Sequence, residues 1–335
     1  MKAVVFDHFG DPADVLQVRD VAVPVPACGQ VRVRMRASPV NPSDLLVVRG
    51  EYGRLPRLPA TPGFEGVGVL DAAGPGLLRH LRRLVPGRRV ATLNAGGGNW
   101  QEYVVLPARQ AVPLPAALPD DQAATFFVNP ASALVMVRYV LRVPRGAWLL
   151  QTAAGSALGR MVIRLGLRDG FRTINVVRRR EQAQELLRLG GNAAVCTIDE
   201  SIEERVRALT GGAGVPFALD AVGGATGSAV VRALAPGGRL LAYGVLSGEP
   251  LALDPRTLIA GQKHVEGFWL ADWALAQGIG TMLGLFRRLA RLTADGVLTS
   301  EVGASFPLDQ VREAVRQAET PGRRGKVLLT MAPPG

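Results

Sequence analysis

A run of mostly small residues, Ala153-Ala-Gly-Ser-Ala-Leu-Gly159, stands between the apolar stretch Ala147-Trp-Leu-Leu-Gln-Thr152 and a helical pattern carried by Met161, Val162 and Leu165. The chemistry such a turn permits is anion binding. A helix N-terminus offers unpaired N–H groups and a partial positive charge, and a pyrophosphate can reach them only where no large side chain intervenes. Aligned on Gly159, the fingerprint positions are Ala154, Ser156 and Gly159 rather than three glycines, so the run by itself also reads as a tight turn that binds nothing. The next strand-like stretch, Phe171-Arg-Thr-Ile-Asn-Val-Val177, runs into Arg178-Arg179-Arg180 with no acid before Glu181. An acid at that point would suit a ribose 2′-hydroxyl, whereas guanidinium forks suit a 2′-phosphate. The alternative, a solvated basic helix start, is opposed by the helix dipole. Turn and arginines together point to NADPH.

A second candidate is Tyr52, in the glycine-flanked stretch Gly50-Glu-Tyr-Gly53. Loops of this kind often carry catalytic groups. A phenol of pKa about 10 is protonated at neutral pH and can donate a proton. A tyrosine lining a barrel rim is the plainer alternative.

These residues need elements to hold them. Strand, turn, helix and strand from Ala147 to Val177 form a βαβ unit, which closes right-handed and parallel. The pattern continues with a helix over 181–189, a strand over 193–197, a helix over 202–209 and a strand over 217–221. A further helix stops before Pro236-Gly237-Gly238, and a strand follows over 239–243. This alternation predicts a doubly wound parallel sheet. Before it, residues 1–118 are rich in valine runs, prolines and glycines. Val31-Arg-Val-Arg-Met-Arg36 alternates as a half-buried strand should, and Thr61–Leu70 and Arg89–Asn94 read as further strands. Leu118-Pro119-Asp120 opens a helix where the α/β pattern begins. After Trp269 come amphipathic helices over 279–294 and 308–318, then the apolar strand Lys326–Thr330.

At 335 residues the chain fits two domains, and its 48% hydrophobic content supplies ample core. No apolar run reaches membrane-spanning length, and Met1-Lys-Ala-Val-Val-Phe6 reads as a strand rather than a signal peptide. With only Cys28 and Cys196, a reducing compartment is expected and a cysteine-rich metal cluster is excluded. The net charge of +11 is mostly scattered arginine with no visible nucleic-acid module, so it narrows a partner only to something anionic.

The ordered motifs are Asn41-Pro-Ser-Asp44 with Gly50-Glu-Tyr-Gly53, Asn94-Ala-Gly-Gly-Gly-Asn-Trp100, and Val128-Asn-Pro130. Thr173-Ile-Asn-Val-Val-Arg178, Val222-Gly-Gly224, Tyr243-Gly244 and Gly267-Phe-Trp-Leu270 follow. Over nearly the whole chain this set resembles the medium-chain dehydrogenase/reductase superfamily, and within it the 2-enoyl thioester reductases of mitochondrial type. The resemblance implies a GroES-like β-rich catalytic domain over 1–118 and 271–335, and a Rossmann NADPH-binding domain over 119–270. Zinc-bearing members of the superfamily place a cysteine where Asn41 stands and a histidine where Phe64 precedes Glu65. Phenylalanine cannot ligate a metal, and His8, His80 and His264 lie elsewhere without ligand spacing. No metal is therefore expected, and double-bond reduction is favoured over alcohol oxidation.

The resemblance implies Tyr52, Asn129 and Trp269 as catalytic residues. It places Asn129 also at the cofactor, with Gly155, Ser156, Ala157 and Leu158 at the pyrophosphate and Arg178, Arg179 and Arg180 at the 2′-phosphate. Tyr243, Gly244, Val245 and Leu246, with Phe268, Trp269 and Leu270, would frame the nicotinamide, and Lys326 is a further contact. The residues alone leave plainer readings open: an Asn-Pro turn at 129, a core tryptophan at 269, an exposed terminal-strand lysine at 326. Arg179 departs from the family, whose middle residue there is commonly acidic.

The implied reaction is NADPH-dependent, zinc-independent reduction of a trans-2-enoyl thioester carried by coenzyme A or an acyl carrier protein. The implied setting is fatty acid metabolism in the cytoplasm, by a homodimer with no nucleic-acid or membrane partner. The alternatives are an NADPH:quinone oxidoreductase or small enone reductase of the same superfamily, and a non-catalytic NADPH-binding or nucleic-acid-binding protein. Leu77-Leu-Arg-His-Leu-Arg-Arg-Leu84 is longer and more basic than the family's usual link. It reads either as a solvated insertion or as a docking patch for an acidic carrier protein or a coenzyme A phosphate.

Overall fold

The computed structural model describes residues 1–76 and 84–331. Of the basic stretch 77–84, residues 77–83 lie outside the described residues. The chain divides into two compact units, 1–128 with 283–335, and 129–282.

The first unit opens with an antiparallel pair, β1 (Lys2–Val5) and β2 (Gln17–Asp20). Its main sheet is built from β3 (Gln30–Pro39), β4 (Glu65–Ala73), β5 (Arg89–Leu93), β6 (Tyr103–Pro107) and β7 (Ala111–Pro113). β3 is central because its sequence alternates: Val31, Val33 and Met35 are buried, while Arg32, Arg34 and Arg36 turn outward. On the polar face the Arg32 guanidinium pairs with Asp71 at 2.6 Å. β4 begins at Glu65, later than the pattern over 61–70 suggests. Gly63 holds φ +105°, and a Cβ there would meet the Trp100 ring at 2.5 Å. The carbonyls of Pro62 and Gly63 accept the N–H groups of Trp100 and Asn99 at 3.0 and 3.1 Å instead of joining the ladder.

The second unit contributes β8 (Trp148–Gln151), β9 (Arg172–Val177), β10 (Ala193–Cys196), β11 (Val215–Asp220), β12 (Leu234–Ala242) and β13 (His264–Gly267). They form one sheet in the order β10-β9-β8-β11-β12-β13, and every pairing is parallel. Parallel strands are covered on both faces, which is why β9 is buried from Thr173 through Val177. The helices Ala157–Asp169, Arg180–Arg188, Ile202–Leu209, Gly224–Arg232 and Pro255–Gly261 lie in the crossovers. β12 starts at Leu234 rather than Arg239, because Leu234 already pairs with Val215 before a register shift at Pro236-Gly237-Gly238.

The chain then returns to the first sheet with β14 (Val302–Pro307) and β15 (Lys326–Thr330). The completed order is β14-β15-β3-β4-β5-β7, with β6 also on β3. The helix expected over 308–318 is a 3-10 turn, Leu308–Gln310, followed by the helix Val311–Glu319.

The unit boundaries at 128/129 and 282/283 fall later than those expected at 118/119 and 270/271. Local contacts explain both shifts. The five-residue helix Asp120–Ala124 packs on β3 and β4, and Asp120 pairs with Arg36 and Arg89 at 3.0 and 2.9 Å. Gln122 exchanges two hydrogen bonds with Ser300, at 2.8 and 3.0 Å. At the other boundary the helix Ile279–Ala294 buries Leu285, Leu289 and Leu292, and its Phe286 ring lies against Phe127.

The contact between the helix Ala157–Asp169 and its turn is the tightest feature of the second unit's opening. A Cβ on Gly159 would lie 2.5 Å from the Ala154 carbonyl oxygen and 2.6 Å from its Cα. Gly159→Ala is expected to destabilise the protein by about 1–3 kcal/mol, read as a lower urea midpoint. Gly284→Ala, on a helix where an added Cβ meets nothing within 4 Å, is expected to leave that midpoint unchanged or raise it.

Candidate active site

Four groups of residues follow the carboxyl ends of strands in the parallel sheet. The turn 152–158 follows β8, Arg178–Arg180 follow β9, Tyr243–Leu246 follow β12, and Phe268–Leu270 follow β13. Because all these strands run the same way, the four groups open on one edge of the sheet. The strand order reverses between β8 and β11, and sheets of this kind bind ligands outside the carboxyl ends at that point.

The turn after β8 is shaped by its backbone. Ala153 holds φ +48°, a conformation that costs a non-glycine residue about 1 kcal/mol or more. The Ala154 N–H donates to Val176 O at 3.2 Å, tying the turn to β9. Ser156 then caps the helix, its Oγ accepting the Gly159 N–H at 3.1 Å. The N–H groups of Ala157 and Leu158 lie in the first turn, where no intrahelical acceptor exists. With nothing larger than serine from 153 to 157, these residues fit a pyrophosphate. Gly155 is covered from one side, since a Cβ there would lie 2.9 Å from Gln182 Nε2.

A buried latch fixes the neighbouring strand ends. Thr152 Oγ1 donates to Asp220 Oδ1 at 2.6 Å and accepts the Ala221 N–H at 2.9 Å. Asp220 also accepts the N–H groups of Val222 and Gly223 at 3.1 and 3.0 Å. Tyr243 N donates to Asp220 O, and Leu246 N to Ala221 O, so Tyr243–Leu246 are laced to the same latch. Burial, and then the Asp220 carboxylate, push the Tyr243 phenol well above its ordinary range, so it stays protonated. Phe268 N donates to Ala242 O, and Trp269 stands at the N-cap position of the helix Leu270–Leu275; all three of Phe268, Trp269 and Leu270 are half-buried. Of the three arginines, Arg180 is held by Asp199 through Nε and Nη2, each at 2.6 Å. Arg178 and Arg179 are exposed and form no ion pair among the described residues.

The remaining candidates lie elsewhere. Asn129 is the second residue of the helix Val128–Val135 and is half-buried. Tyr52 and Lys326 belong to the first unit. The Tyr52 ring packs on Phe64 with centroids 5.3 Å apart. Lys326 is buried, not the exposed terminal-strand lysine its position suggests, and its Nζ donates to Asn41 Oδ1.

Lys326 is one member of a buried polar cluster. Asn41 Nδ2 donates to Glu65 Oε1 at 3.1 Å, while Glu65 Oε2 accepts the N–H groups of Phe127 and Val128 at 3.0 and 2.9 Å. Asp44 accepts the N–H groups of Asn41 and Phe64 at 2.8 and 3.0 Å. Burial raises the pKa of Glu65, opposed by the Lys326 ammonium, and pushes Asp44 up to about 7. It lowers Lys326 to about 8, opposed by Glu65. Asp44 thereby fixes the backbone of Phe64, the residue whose ring packs on Tyr52.

The comparisons with known proteins accord with this geometry. Residues 27–116 match the alcohol dehydrogenase GroES-like domain, and residues 157–286 match the zinc-binding dehydrogenase family. The human mitochondrial enoyl-[acyl-carrier-protein] reductase is 33% identical over 99% of this chain and 89% of its own length. The chain belongs to the medium-chain dehydrogenase/reductase superfamily. The superfamily members it resembles are oxidoreductases. A crystal structure of a Bacillus thuringiensis protein assigned as an NADPH:quinone reductase is 35% identical, with a TM-score of 0.92 and 98% of each chain covered. A mycobacterial structure complexed with NADPH is 27% identical, with a TM-score of 0.90, covering 98% of this chain and all of the other.

A zinc ion does not fit the superfamily's metal position in this chain. Asn41 and Phe64 offer no strong ligand, Glu65 already accepts three hydrogen bonds, and the Lys326 ammonium opposes a second cation. Among the described residues no group of three or more His, Cys, Asp or Glu is placed to hold a metal.

Sequence reasoning did not pick out Asp44, Glu65, Thr152, Asp220 or Asp199 as site residues. Only Asp44 carries a local signal, since an acid three residues after Asn41, with proline between, is a helix-start pattern. The side-chain partnerships of the others that join separate elements span 19 positions, for Asp199 with Arg180, to 69, for Thr152 with Ala221. The Lys326 amine supplies a test of the cluster. Its pKa is about 8 in the folded chain against an ordinary 10.5, so between those values the unfolded chain binds more protons. Stability through this group therefore rises as pH climbs from about 8 to 10.5. Lys326→Met is expected to lack that rise, so the wild-type urea midpoint should increase relative to the variant's as pH climbs above 8.

Proposed function

We propose that this protein is an NADPH-dependent reductase of the carbon–carbon double bond of trans-2-enoyl thioesters. What carries the reading is its near full-length similarity to the human enoyl-[acyl-carrier-protein] reductase. Bound NADPH supplies a hydride to the β-carbon of the enoyl thioester. The chain's own residues do the rest. The first-turn N–H groups of Ala157 and Leu158 hold the pyrophosphate, and Arg178 and Arg179 meet the 2′-phosphate. Asn129 orients the nicotinamide side of the cofactor, and Tyr243–Leu246 with Phe268–Leu270 shield it from water. Tyr52 donates a proton to the α-carbon, its ring held against Phe64. Lys326 acts within the buried cluster that fixes Phe64, rather than by touching substrate.

A second reading is favoured by the 35% identical solved structure, assigned as an NADPH:quinone reductase. The same hydride donor and the same proton donor would serve a quinone or a small enone. An acyl carrier protein as substrate carrier, a homodimeric assembly and a place in fatty acid metabolism follow from the thioester reading. Two free cysteines suit a reducing compartment such as the cytoplasm.

Three measurements test this. Turnover with NADPH on crotonyl-CoA and longer enoyl thioesters is expected to exceed turnover on simple quinones, and the reverse order would select the second reading. On the better substrate, Tyr52→Phe is expected to lower kcat about 100-fold while NADPH affinity stays within about twofold. Near-normal turnover would remove Tyr52 as proton donor. Separately, Arg178→Ala with Arg179→Ala is expected to weaken NADPH binding about tenfold or more and leave NADH binding nearly unchanged, measured by quenching of protein fluorescence.

A further inference from the structure

We propose that Asp199 sets how tightly the cofactor's 2′-phosphate is held, by occupying the guanidinium edge of Arg180 that would otherwise grip it. The inference rests on the NADPH reading above. It makes Asp199 a specificity-determining residue contributed by the strand next to the one that ends in the arginines.

The geometry is local to the second unit. β10 pairs with β9 in parallel register, Cys196 opposite Val177, so the carboxyl ends of the two strands lie side by side. Arg178–Arg180 leave the end of β9, and Asp199 stands three residues past the end of β10. Arg180 Nε donates to Asp199 Oδ2 and Nη2 to Oδ1, each at 2.6 Å. That is one full edge of the guanidinium fork, and a phosphate seeks the same two-point edge. Carboxylate and phosphate therefore compete for it.

Asp199 is well placed to compete. Its N–H and that of Glu200 both donate to Cys196 O, at 3.0 and 2.9 Å. The Cys196 N–H in turn donates to Glu200 Oε2 at 3.2 Å, closing the turn. The Asp199 side chain is only 25% exposed, while that of Arg180 is 75% exposed. A turn-held acid with a largely buried side chain thus engages an exposed base. An ion pair exposed on one side is weak enough for a dianionic phosphate to displace, and the displacement appears as lost affinity. Arg180 also opens the helix whose Gln182 side chain lies beside Gly155, so the start of this helix borders the pyrophosphate turn.

The consequence is a damped preference. Arg178 and Arg179 give the site its bias toward a phosphorylated ribose, and Asp199 holds the third arginine in reserve. In the family that this chain resembles, the middle of the three positions is commonly acidic. Here that position is Arg179, and the acid beside Arg180 comes from the neighbouring strand instead.

The test is calorimetric titration of the full chain with 2′,5′-ADP and with 5′-AMP, which carry the adenosine end of the cofactor with and without the 2′-phosphate. Asp199→Asn is expected to raise the preference for 2′,5′-ADP about three- to fivefold, with 5′-AMP affinity changed by less than about twofold. Asp199→Ser, a turn-forming residue without the charge, should act in the same direction. In the wild-type background Arg180→Ala should change 2′,5′-ADP affinity by about twofold or less, and in the Asp199→Asn background it should abolish the whole gain. An unchanged or reduced preference in both Asp199 variants overturns the inference and leaves the NADPH reading standing. A wild-type protein that binds 5′-AMP as tightly as 2′,5′-ADP overturns the NADPH reading, and the inference with it.

Discussion

The parallel direction of β8 to β13 is the constraint on which the second unit depends. Parallel neighbours cannot be joined by a hairpin, so each must be followed by a crossover, and every crossover begins at the same edge of the sheet. That single fact brings the turn at 152–158, the arginines at 178–180, and the segments 243–246 and 268–270 to one edge. The tight packing of Gly159 on Ala154 and the capping by Ser156 then decide how closely an anion can approach the first helix. The Thr152–Asp220 latch keeps the two central strand ends in register where the order reverses.

The first unit works under a different constraint, the cost of burying charge. Asn41, Asp44, Glu65 and Lys326 are all buried, and each carries at least one charge-assisted or amide hydrogen bond. A lone ion in that position would be expelled or neutralised, and the cluster persists because its members satisfy one another. Its reach is wide. It fixes the start of the helix Pro42–Arg49, the backbone of Phe64, whose ring packs on Tyr52, and the backbone at Phe127 and Val128. The Lys326 ammonium bonds to Asn41, the residue that stands where zinc-bearing members of the superfamily place a cysteine.

Much of the architecture was legible before any coordinates. The alternation of strands and helices, the helix over 279–294, the terminal strand 326–330 and the small-residue turn all appear where their patterns lie. These features are set by periodicity, capping and glycine stops, which act over a few residues. Boundaries were less legible. β4 starts late because Gly63 packs under Trp100, and the first unit extends to Val128 because Asp120 and Gln122 bond to residues far along the chain.

What the sequence determined by itself was therefore the order and type of the elements, the small-residue anion turn and the cluster of arginines behind it. Tertiary structure alone decided that Arg180 is already engaged by Asp199 and that Lys326 is a buried partner of Asn41 rather than a surface lysine. It also decided that Glu65 ties the backbone at 127 and 128. The physical reason is range. Helix and strand formation are governed by near neighbours, whereas the state of an ionisable side chain is governed by whichever charges and dipoles folding brings within a few ångströms of it, and those come from anywhere in the chain.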